Sequence, residues 1–179
     1  MNDSDSTDKN SNQYEENINV NYAGSYTLTS QINRGLVTDV FIPAGIMPVN
    51  RINRQLDILP FISNKLVLIS RDKNDLEWDL DVLKQFDRIA IADPNFSPAG
   101  EYSIQALNAL DDQRDLYTRL VYAKDVSAAL LYVKKGLADV GIVYLTDSID
   151  DNEIFTNDVI PEDTYSKIEY PIVTFSNNL

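Results

Sequence analysis

Two spacings of apolar residues alternate along this chain of 179 residues. Continuous apolar runs, such as Leu66–Ile69 and Val140–Tyr144, are typical of strands that are covered on both faces. Between these runs, apolar residues return every three or four positions, for example from Val126 to Lys135, as they do in helices that bury one face. Because strand-type and helix-type segments alternate throughout, the sequence predicts an α/β protein with mainly parallel sheets.

Turn and capping residues set the boundaries of the predicted elements. Strands are expected at Ile18–Tyr22, Val40–Ile42, Lys65–Ser70, Arg88–Ala92, Val121–Tyr122, Val140–Tyr144, Val159–Ile160 and Ile172–Phe175. Helices are expected after the N-cap Ser25, from Pro48 through Leu56, after the N-cap Asp79, from Ala99 to Leu110, at Asp115–Leu120 and after the N-cap Asp125. Gly35 and Gly136 stand where the first and last of these helices are expected to end.

The chain is strongly acidic: 28 Asp and Glu against 15 Lys and Arg give a net charge of −13. No basic stripe offsets a phosphate backbone, which argues against nucleic-acid binding and against attachment to an anionic membrane surface. No apolar run approaches the ~20 residues of a membrane span. Residues 1–17 are rich in Asp, Asn, Ser and Glu, lack the apolar core of a signal peptide, and are predicted to be a disordered acidic tail.

Histidine and cysteine are both absent from the sequence. This excludes a histidine general base, a Ser-His-Asp triad, histidine-ligated metals, disulfides and zinc–thiolate sites. Carboxylates, Lys, Tyr, Ser and Thr remain, and no pairing of carboxylates marks an acid–base site. We therefore expect a binding protein rather than an enzyme, with neutral donors and backbone groups around its ligand.

Two groups of carboxylates are close together in the sequence. They are Asp147, Asp150, Asp151 and Glu153, and then Asp111, Asp112 and Asp115. A calcium loop of the EF-hand type needs a bending glycine among such oxygens. Neither group contains one, so solvated acidic loops are the favoured interpretation.

Four junctions between predicted elements present backbone N–H groups at a helix start or a strand end. They are Ala23–Ser25, Ser97–Gly100, Lys124–Val126 and Tyr144–Thr146. In open α/β sheets ligands bind beyond the carboxyl ends of strands, and free N–H groups at a helix start suit an anion. A purely structural interpretation also exists, since a serine can simply cap its helix and a tyrosine can simply pack. The residues by themselves leave both interpretations open.

Several blocks of sequence share their order and spacing with one known family. They are Gly24–Ile32, Asp39–Ile42, the Asp-Pro…Pro-Ala-Gly-x-Tyr motif at Asp93–Tyr102, Asp125–Leu130, Gly141–Asp147, Ile160–Asp163 and Lys167–Pro171. Together they extend from about Ile18 to Phe175. On these motifs the chain resembles the periplasmic molybdate-binding proteins of the ModA family, the solute-binding components of molybdate ABC importers.

The resemblance implies a two-lobed, periplasmic-binding-protein-like fold that holds a tetrahedral oxyanion, molybdate or tungstate, between its lobes. By position, Ser25 would donate its hydroxyl and its backbone N–H, and Tyr144 its phenolic O–H. Ala99 and Val126 would donate backbone N–H groups at helix starts. The resemblance implies no cofactor and no residue that coordinates a cation. It also implies an ABC permease as partner, a monomer, and a location outside the cytoplasm, either periplasmic or anchored at the cell surface.

The family pattern divides the chain unevenly. Residues 1–17 are assigned to the tail, 18–70 with 171–179 to lobe I, and 71–170 to lobe II. The strand and helix that open lobe I in the family find no match before Ile18, and the family's terminal helices find none after Phe175. We therefore expect an incomplete first lobe and weakened oxyanion affinity. Two alternatives stay open, a ligand-sensing domain on the same fold and a nonfunctional fragment of such a binding protein.

Overall fold

The computed structural model of the protein describes residues 18–73, 75–111 and 115–175, which form two sheets with helices around them. The strands are β1 (Val40–Phe41), β2 (Leu56–Asn64), β3 (Leu66–Ser70), β4 (Ile89–Ala92), β5 (Leu120–Ala123), β6 (Val140–Tyr144), β7 (Phe155–Val159) and β8 (Ile168–Phe175). The helices are α1 (Ser25–Asn33), α2 (Leu80–Leu83), α3 (Pro98–Leu110), α4 (Val126–Lys134) and α5 (Leu145–Ser148). Short 3₁₀ turns occupy Val49–Arg51, Asp115–Arg119 and Glu162–Thr164. The predicted tail, residues 1–17, lies outside the described residues.

The smaller sheet has the strand order β1-β8-β2, and its central strand β8 is antiparallel to both neighbours. β2 and β8 pair along almost their whole length, from Asn64 opposite Ile168 to Leu56 opposite Phe175. A small cluster of buried side chains accompanies this sheet: Ile32, Phe41, Val49, Ile52 and Val173.

The larger sheet has the strand order β5-β4-β6-β3-β7 and is mixed in direction. β4 is parallel to β5 and β6, whereas β3 is antiparallel to β6 and β7. Every residue of β3, β4 and β6 is buried, and the helices α3 and α4 pack on β4. The main hydrophobic core of the described residues therefore belongs to this unit, as the continuous apolar runs predicted.

The chain passes from one sheet to the other twice. It first crosses at Lys65, between β2 and β3, and it returns between β7 and β8. The buried Asn64 stands at the first crossing, where its side-chain amide donates hydrogen bonds to the Thr146 hydroxyl (2.8 Å) and the Tyr170 hydroxyl (2.7 Å). All strands of the larger sheet thus lie in one uninterrupted stretch, while the smaller sheet combines two stretches.

Helix ends follow the capping residues that the sequence shows. The Asp125 carboxylate accepts a hydrogen bond from the Ala128 N–H (2.8 Å) at the start of α4, and Asp79 caps α2 in the same manner. Gly35 follows the end of α1 with φ +104°, in the left-handed region that glycine adopts without strain. These three predictions are confirmed.

The expectation of mainly parallel sheets is wrong. Only the β5-β4-β6 part of the described sheets is parallel, and the whole of the smaller sheet is antiparallel. A continuous apolar run shows that a strand is covered on both faces, but it carries no information about the direction of its neighbours. β3 is such a strand, since it is fully buried between two antiparallel partners.

Three local expectations also differ from the structure. The segment Ile18–Tyr22 forms no strand, and Tyr22 is 89% exposed. Gly24, not Ser25, is the N-cap of α1. The helix expected from Pro48 is a single 3₁₀ turn, because the following residues join β2.

The division of the chain also shifts at one point. β3 was assigned to lobe I by the boundary at residue 70, but it pairs within the larger sheet. The passage between the two units therefore falls at Lys65. β8 begins at Ile168, just before the second predicted boundary.

Candidate functional site

The carboxyl ends of three neighbouring parallel strands define one edge of the larger sheet. β4 leads into α3, β5 leads into α4, and β6 ends at Tyr144. The Asp93 N–H donates a hydrogen bond to the Ala123 carbonyl (2.7 Å), which ties the loop after β4 to the loop after β5. Two helix N-termini and one tyrosine are therefore presented at the same edge, where α/β sheets bind ligands.

Ser25 is the first residue of α1, on the other unit of the molecule, and it is buried. Its hydroxyl oxygen accepts a hydrogen bond from the Ala44 N–H (2.9 Å). Since the acceptor side of the hydroxyl is occupied, its proton is left to donate. Ser25 is therefore the first residue of the helix and not its cap.

Tyr144 reaches the same short loop from the larger sheet. Its hydroxyl lies 3.4 Å from the Ala44 carbonyl oxygen, a long hydrogen bond. Burial raises the pKa of the Tyr144 phenol well above its ordinary value, so this group stays a neutral donor at physiological pH. The Tyr170 ring packs edge-on against it, with centroids 6.0 Å apart. Ser25 and Tyr144 therefore meet at opposite sides of one peptide segment.

Ala99 occupies the first turn of α3 and is completely buried. Its N–H has no hydrogen-bond partner among the described residues, whereas the next N–H, that of Gly100, bonds to the Ser97 carbonyl (3.0 Å). Gly100 packs tightly on the preceding loop, and a Cβ there would lie 2.2 Å from the Ala92 carbonyl oxygen. Only glycine permits so close an approach, which places the start of α3 at the sheet edge.

Val126 opens α4 in a comparable way. The Asp125 side chain accepts a hydrogen bond from the Ala128 N–H, and the Asp125 carbonyl accepts one from the Ala129 N–H (3.1 Å). The Val126 N–H has no partner among residues 18–73, 75–111 and 115–175. No hydrogen bond of the described structure joins Val126 or Ala99 to Ser25, and the shared sheet edge relates these two residues to Tyr144 only.

A charged group lies beside the site and joins the two units. The Tyr26 hydroxyl donates a hydrogen bond to the Glu101 carboxylate, and Arg51 forms an ion pair with the same carboxylate (3.0 Å). The Arg51 guanidinium also stacks over the Tyr26 ring, 3.9 Å from its centroid. The negative charge of Glu101 is thereby paired with the positive charge of Arg51.

Sequence reasoning named Ser25 and Tyr144 but missed Ala44, to which both bond. It also gave no role to Glu101 or Arg51. These contacts span between 19 and 100 positions of the chain. Periodicity and capping patterns describe only near neighbours, so they contain no signal for such pairs.

Two members of the acidic groups weighed as metal sites have other partners, and Asp112 lies outside the described residues. Lys134 forms an ion pair with Asp151, and the buried Asp111 accepts a hydrogen bond from the Leu116 N–H (2.9 Å). Within the described part of the chain, no group of three or more carboxylates is arranged to hold a metal ion. None of the helices found there has the length and apolar character needed to cross a membrane.

The largest cavity described lies at the opposite, amino end of β4. It measures about 410 Å³ and is bordered by Arg71, Asp72, Arg88 and Asp139 among others. Arg88 is already paired with Asp139 (2.9 Å). This cavity is remote from the carboxyl edge of the sheet, at which α3 and α4 begin.

Comparison with known proteins shows the family to which the chain belongs. The chain belongs to the family of bacterial extracellular solute-binding proteins, whose model matches residues 8–178. This is a family of solute-binding proteins, not of enzymes. The expected resemblance to the ModA family is confirmed by the relatives that follow.

Two curated relatives and one solved structure illustrate the likeness. The chain is 30% identical over 168 residues to the molybdate-binding protein ModA of Escherichia coli (strain K12), covering 84% of this chain and 63% of that protein. It is 30% identical over 164 residues to ModA of Haemophilus influenzae, covering 84% and 64%. The periplasmic molybdate-binding protein of Azotobacter vinelandii superposes with a TM-score of 0.72 at 24% identity, covering 86% of this chain and 71% of that one. This structural likeness confirms the two-lobed α/β fold, and the chain spans less than two thirds of the length of the two curated relatives.

Proposed function

We propose that the protein binds a tetrahedral oxyanion, molybdate or tungstate, between its two units. Four residues supply five donor groups: the Ser25 hydroxyl and N–H, the Ala99 N–H, the Val126 N–H and the Tyr144 hydroxyl. The observation that supports this most is the buried Ala99 N–H, which has no partner among the described residues. Buried backbone N–H groups are almost always hydrogen-bonded, so an unpartnered one at a helix start calls for a ligand.

Neutral donors suffice to hold such a dianion. Aligned peptide dipoles place a partial positive charge at each helix N-terminus, and three helix starts contribute donors here. The Tyr144 phenol donates without ionising, because burial raises its pKa. The chain's net charge of −13 does not oppose this site, since the local groups are donors and Glu101 is paired with Arg51.

A site built only from donors also discriminates between anions. Molybdate and tungstate offer four acceptor oxygens, whereas phosphate carries a proton at neutral pH. A protonated oxygen facing these donors would leave one buried N–H or O–H unsatisfied, at a cost of about 1–3 kcal/mol. Smaller sulfate would reach fewer of the donors at once. Molybdate and tungstate themselves present nearly the same oxygens and are not separated by this argument.

The biological role that follows is transport without chemistry. The units close on the oxyanion, and the loaded protein delivers it to the permease of an ABC importer outside the cytoplasm. Its membership of a solute-binding family and the molybdate-binding names of its relatives support this role. The proposal includes a monomer with no cofactor and no enzymatic activity.

Isothermal titration calorimetry of the 179-residue protein with sodium molybdate and tungstate tests the proposal. The expected result is saturable binding of both and none of phosphate. Tyrosine fluorescence at millimolar ligand should accompany the calorimetry, so that weak binding is also detected. Absence of saturable binding of either anion at millimolar concentration would overturn the proposed function.

A further inference from the structure

One buried hydroxyl in the larger unit has no partner. Tyr102, on α3, is 0% exposed, and its hydroxyl oxygen makes no hydrogen bond within the described residues. A hydroxyl left in this state is uncommon, because it loses its bonds to water and gains none in return. The neighbouring Tyr165, whose ring meets Tyr102 edge-on at 6.3 Å, shows the ordinary case: its hydroxyl lies 3.1 Å from the Leu66 N–H, from which it accepts.

The position of Tyr102 directs its side chain toward the candidate site. It follows Ala99 by three residues on α3, so the two lie on the same face of the helix. Helical side chains lean toward the N-terminus of their helix, which here is the end that carries the unpartnered Ala99 N–H.

Contact with Gly45 fixes where the hydroxyl lies. A Cβ added to Gly45 would be 2.4 Å from the Tyr102 hydroxyl oxygen, so the phenol lies directly against this glycine. Gly45 follows Ala44, the residue that the Ser25 hydroxyl and the Tyr144 hydroxyl both contact. The Tyr102 hydroxyl is thus beside the peptide segment at which the two units meet.

We propose that the Tyr102 hydroxyl is a further hydrogen-bond donor to the oxyanion, in addition to the groups of the four residues named above. This inference rests on the proposed function and deepens it. The hydroxyl has no partner among the described residues, and in the proposed complex it donates to an oxyanion bound between Ala99 and Tyr144. Burial raises the pKa of Tyr102 to about 12, so the group remains protonated and able to donate.

Two measurements on Tyr102→Phe separate a binding role from a packing role. They are calorimetry of anion binding and thermal unfolding without ligand. Tyr165→Phe is the matched control. Both changes remove one hydroxyl from a buried ring of the same pair. Tyr102→Phe is expected to weaken molybdate binding about three- to tenfold, the effect of one lost hydrogen bond. Its ligand-free melting temperature should equal or exceed that of the wild type, because no bond is lost. Tyr165→Phe should show the reverse, a lower melting temperature and an affinity within twofold of the wild type.

The outcomes are distinguishable. If the wild type binds molybdate and Tyr102→Phe binds it equally well, Tyr102 is not a donor and the proposed function stands. If Tyr102→Phe melts at a lower temperature without ligand, its hydroxyl already has a partner and the inference is wrong. If the wild type binds no oxyanion, the proposed function fails and Tyr102 fails with it.

Discussion

Tyr26 on α1 donates a hydrogen bond to Glu101 on α3, and this contact joins the two units directly beside the candidate site. Tyr26 is 8% exposed, and burial, followed by the Glu101 carboxylate, raises the pKa of its phenol. Arg51, which also lies on the smaller unit, forms an ion pair with the same carboxylate. Tyr26 follows Ser25 in the sequence, and Glu101 lies two residues after Ala99. We therefore expect a change in the Tyr26–Glu101 contact to affect both of these candidate site residues.

Tyr26→Phe removes the bond to Glu101 while keeping the ring beneath Arg51. We expect the free energy of unfolding to fall by about 1.5–3 kcal/mol, the usual range for a hydrogen bond to a charged group. Urea denaturation followed by circular dichroism measures this change. Tyr22→Phe, at a position that is 89% exposed, should leave the unfolding midpoint unchanged. Equal midpoints for Tyr26→Phe and the wild type would show that the contact does not contribute to stability.

Tyr144→Phe tests the donor at the end of β6. Its hydroxyl makes only a long contact of 3.4 Å with the Ala44 carbonyl oxygen, so the change should have little effect on stability. Oxyanion affinity should fall by about 0.5–1.5 kcal/mol, and by more if the bond to the anion is charge-assisted. Calorimetry checks this, with Tyr122→Phe on the half-exposed face of β5 as the control. An unchanged affinity would remove Tyr144 from the site.

Gly45→Ala should be strongly destabilising for two separable reasons. Gly45 has φ +125°, which strains any residue with a Cβ, and that Cβ would overlap the Tyr102 hydroxyl. Gly35→Ala is the matched control, since Gly35 has φ +104° but nothing within 4 Å of the added atom. We expect Gly35→Ala to cost about 1 kcal/mol and Gly45→Ala at least about 2 kcal/mol.

A double-mutant cycle measures how much of the cost of Gly45→Ala comes from overlap with the Tyr102 hydroxyl. In the Tyr102→Phe background the overlapping oxygen is gone, and the nearest remaining ring atom lies 3.3 Å from the added Cβ. Gly45→Ala should therefore cost less there than in the wild type, as measured by urea denaturation. Identical costs in the two backgrounds would place the Tyr102 hydroxyl away from Gly45.

Buried phenols predict a loss of stability at alkaline pH. Burial raises the pKa of Tyr102 and of Tyr170 to about 12 each, while an unfolded tyrosine titrates near 10. Below pH 10 both states are protonated and the full stability is present. Between about pH 10 and 12 only the unfolded state ionises, so stability falls by about 1.4 kcal/mol per pH unit for each such phenol.

Urea denaturation at pH 8, 10 and 11 measures this slope, and absorbance at 295 nm follows the phenolates directly. Tyr102→Phe should make the slope shallower by one proton. A stability that does not change between pH 8 and 11 would contradict the burial of these hydroxyls.

The buried elements could be predicted from the sequence because burial leaves a local pattern. β3, β4 and β6 are continuous apolar runs, and each is fully covered. β2 escaped prediction because it is exposed along most of its length and contains Pro60. Pairing with β8, not its own composition, makes this segment a strand.

The candidate site was predictable in its parts but not in its assembly. Ser25 and Tyr144 stand at junctions that local patterns reveal, and their roles as donors remain predictions. Their common contact at Ala44 depends on how two distant stretches come together. The prediction that Ser25 caps its helix is wrong for the same reason. Its hydroxyl accepts a hydrogen bond from the distant Ala44 N–H and none from its own helix.

The central place of β8 in the smaller sheet has a consequence for the order of folding. β1 and β2 each pair with β8 and not with one another, so during synthesis they have no sheet to join until residues 168–175 leave the ribosome. The stretch from Leu66 to Tyr165 contains every strand of the other sheet and can fold first as a unit. The earliest residues of the described chain are thus among the last to reach their final positions, and until then the backbone N–H and C=O groups of β2 lack their β8 partners.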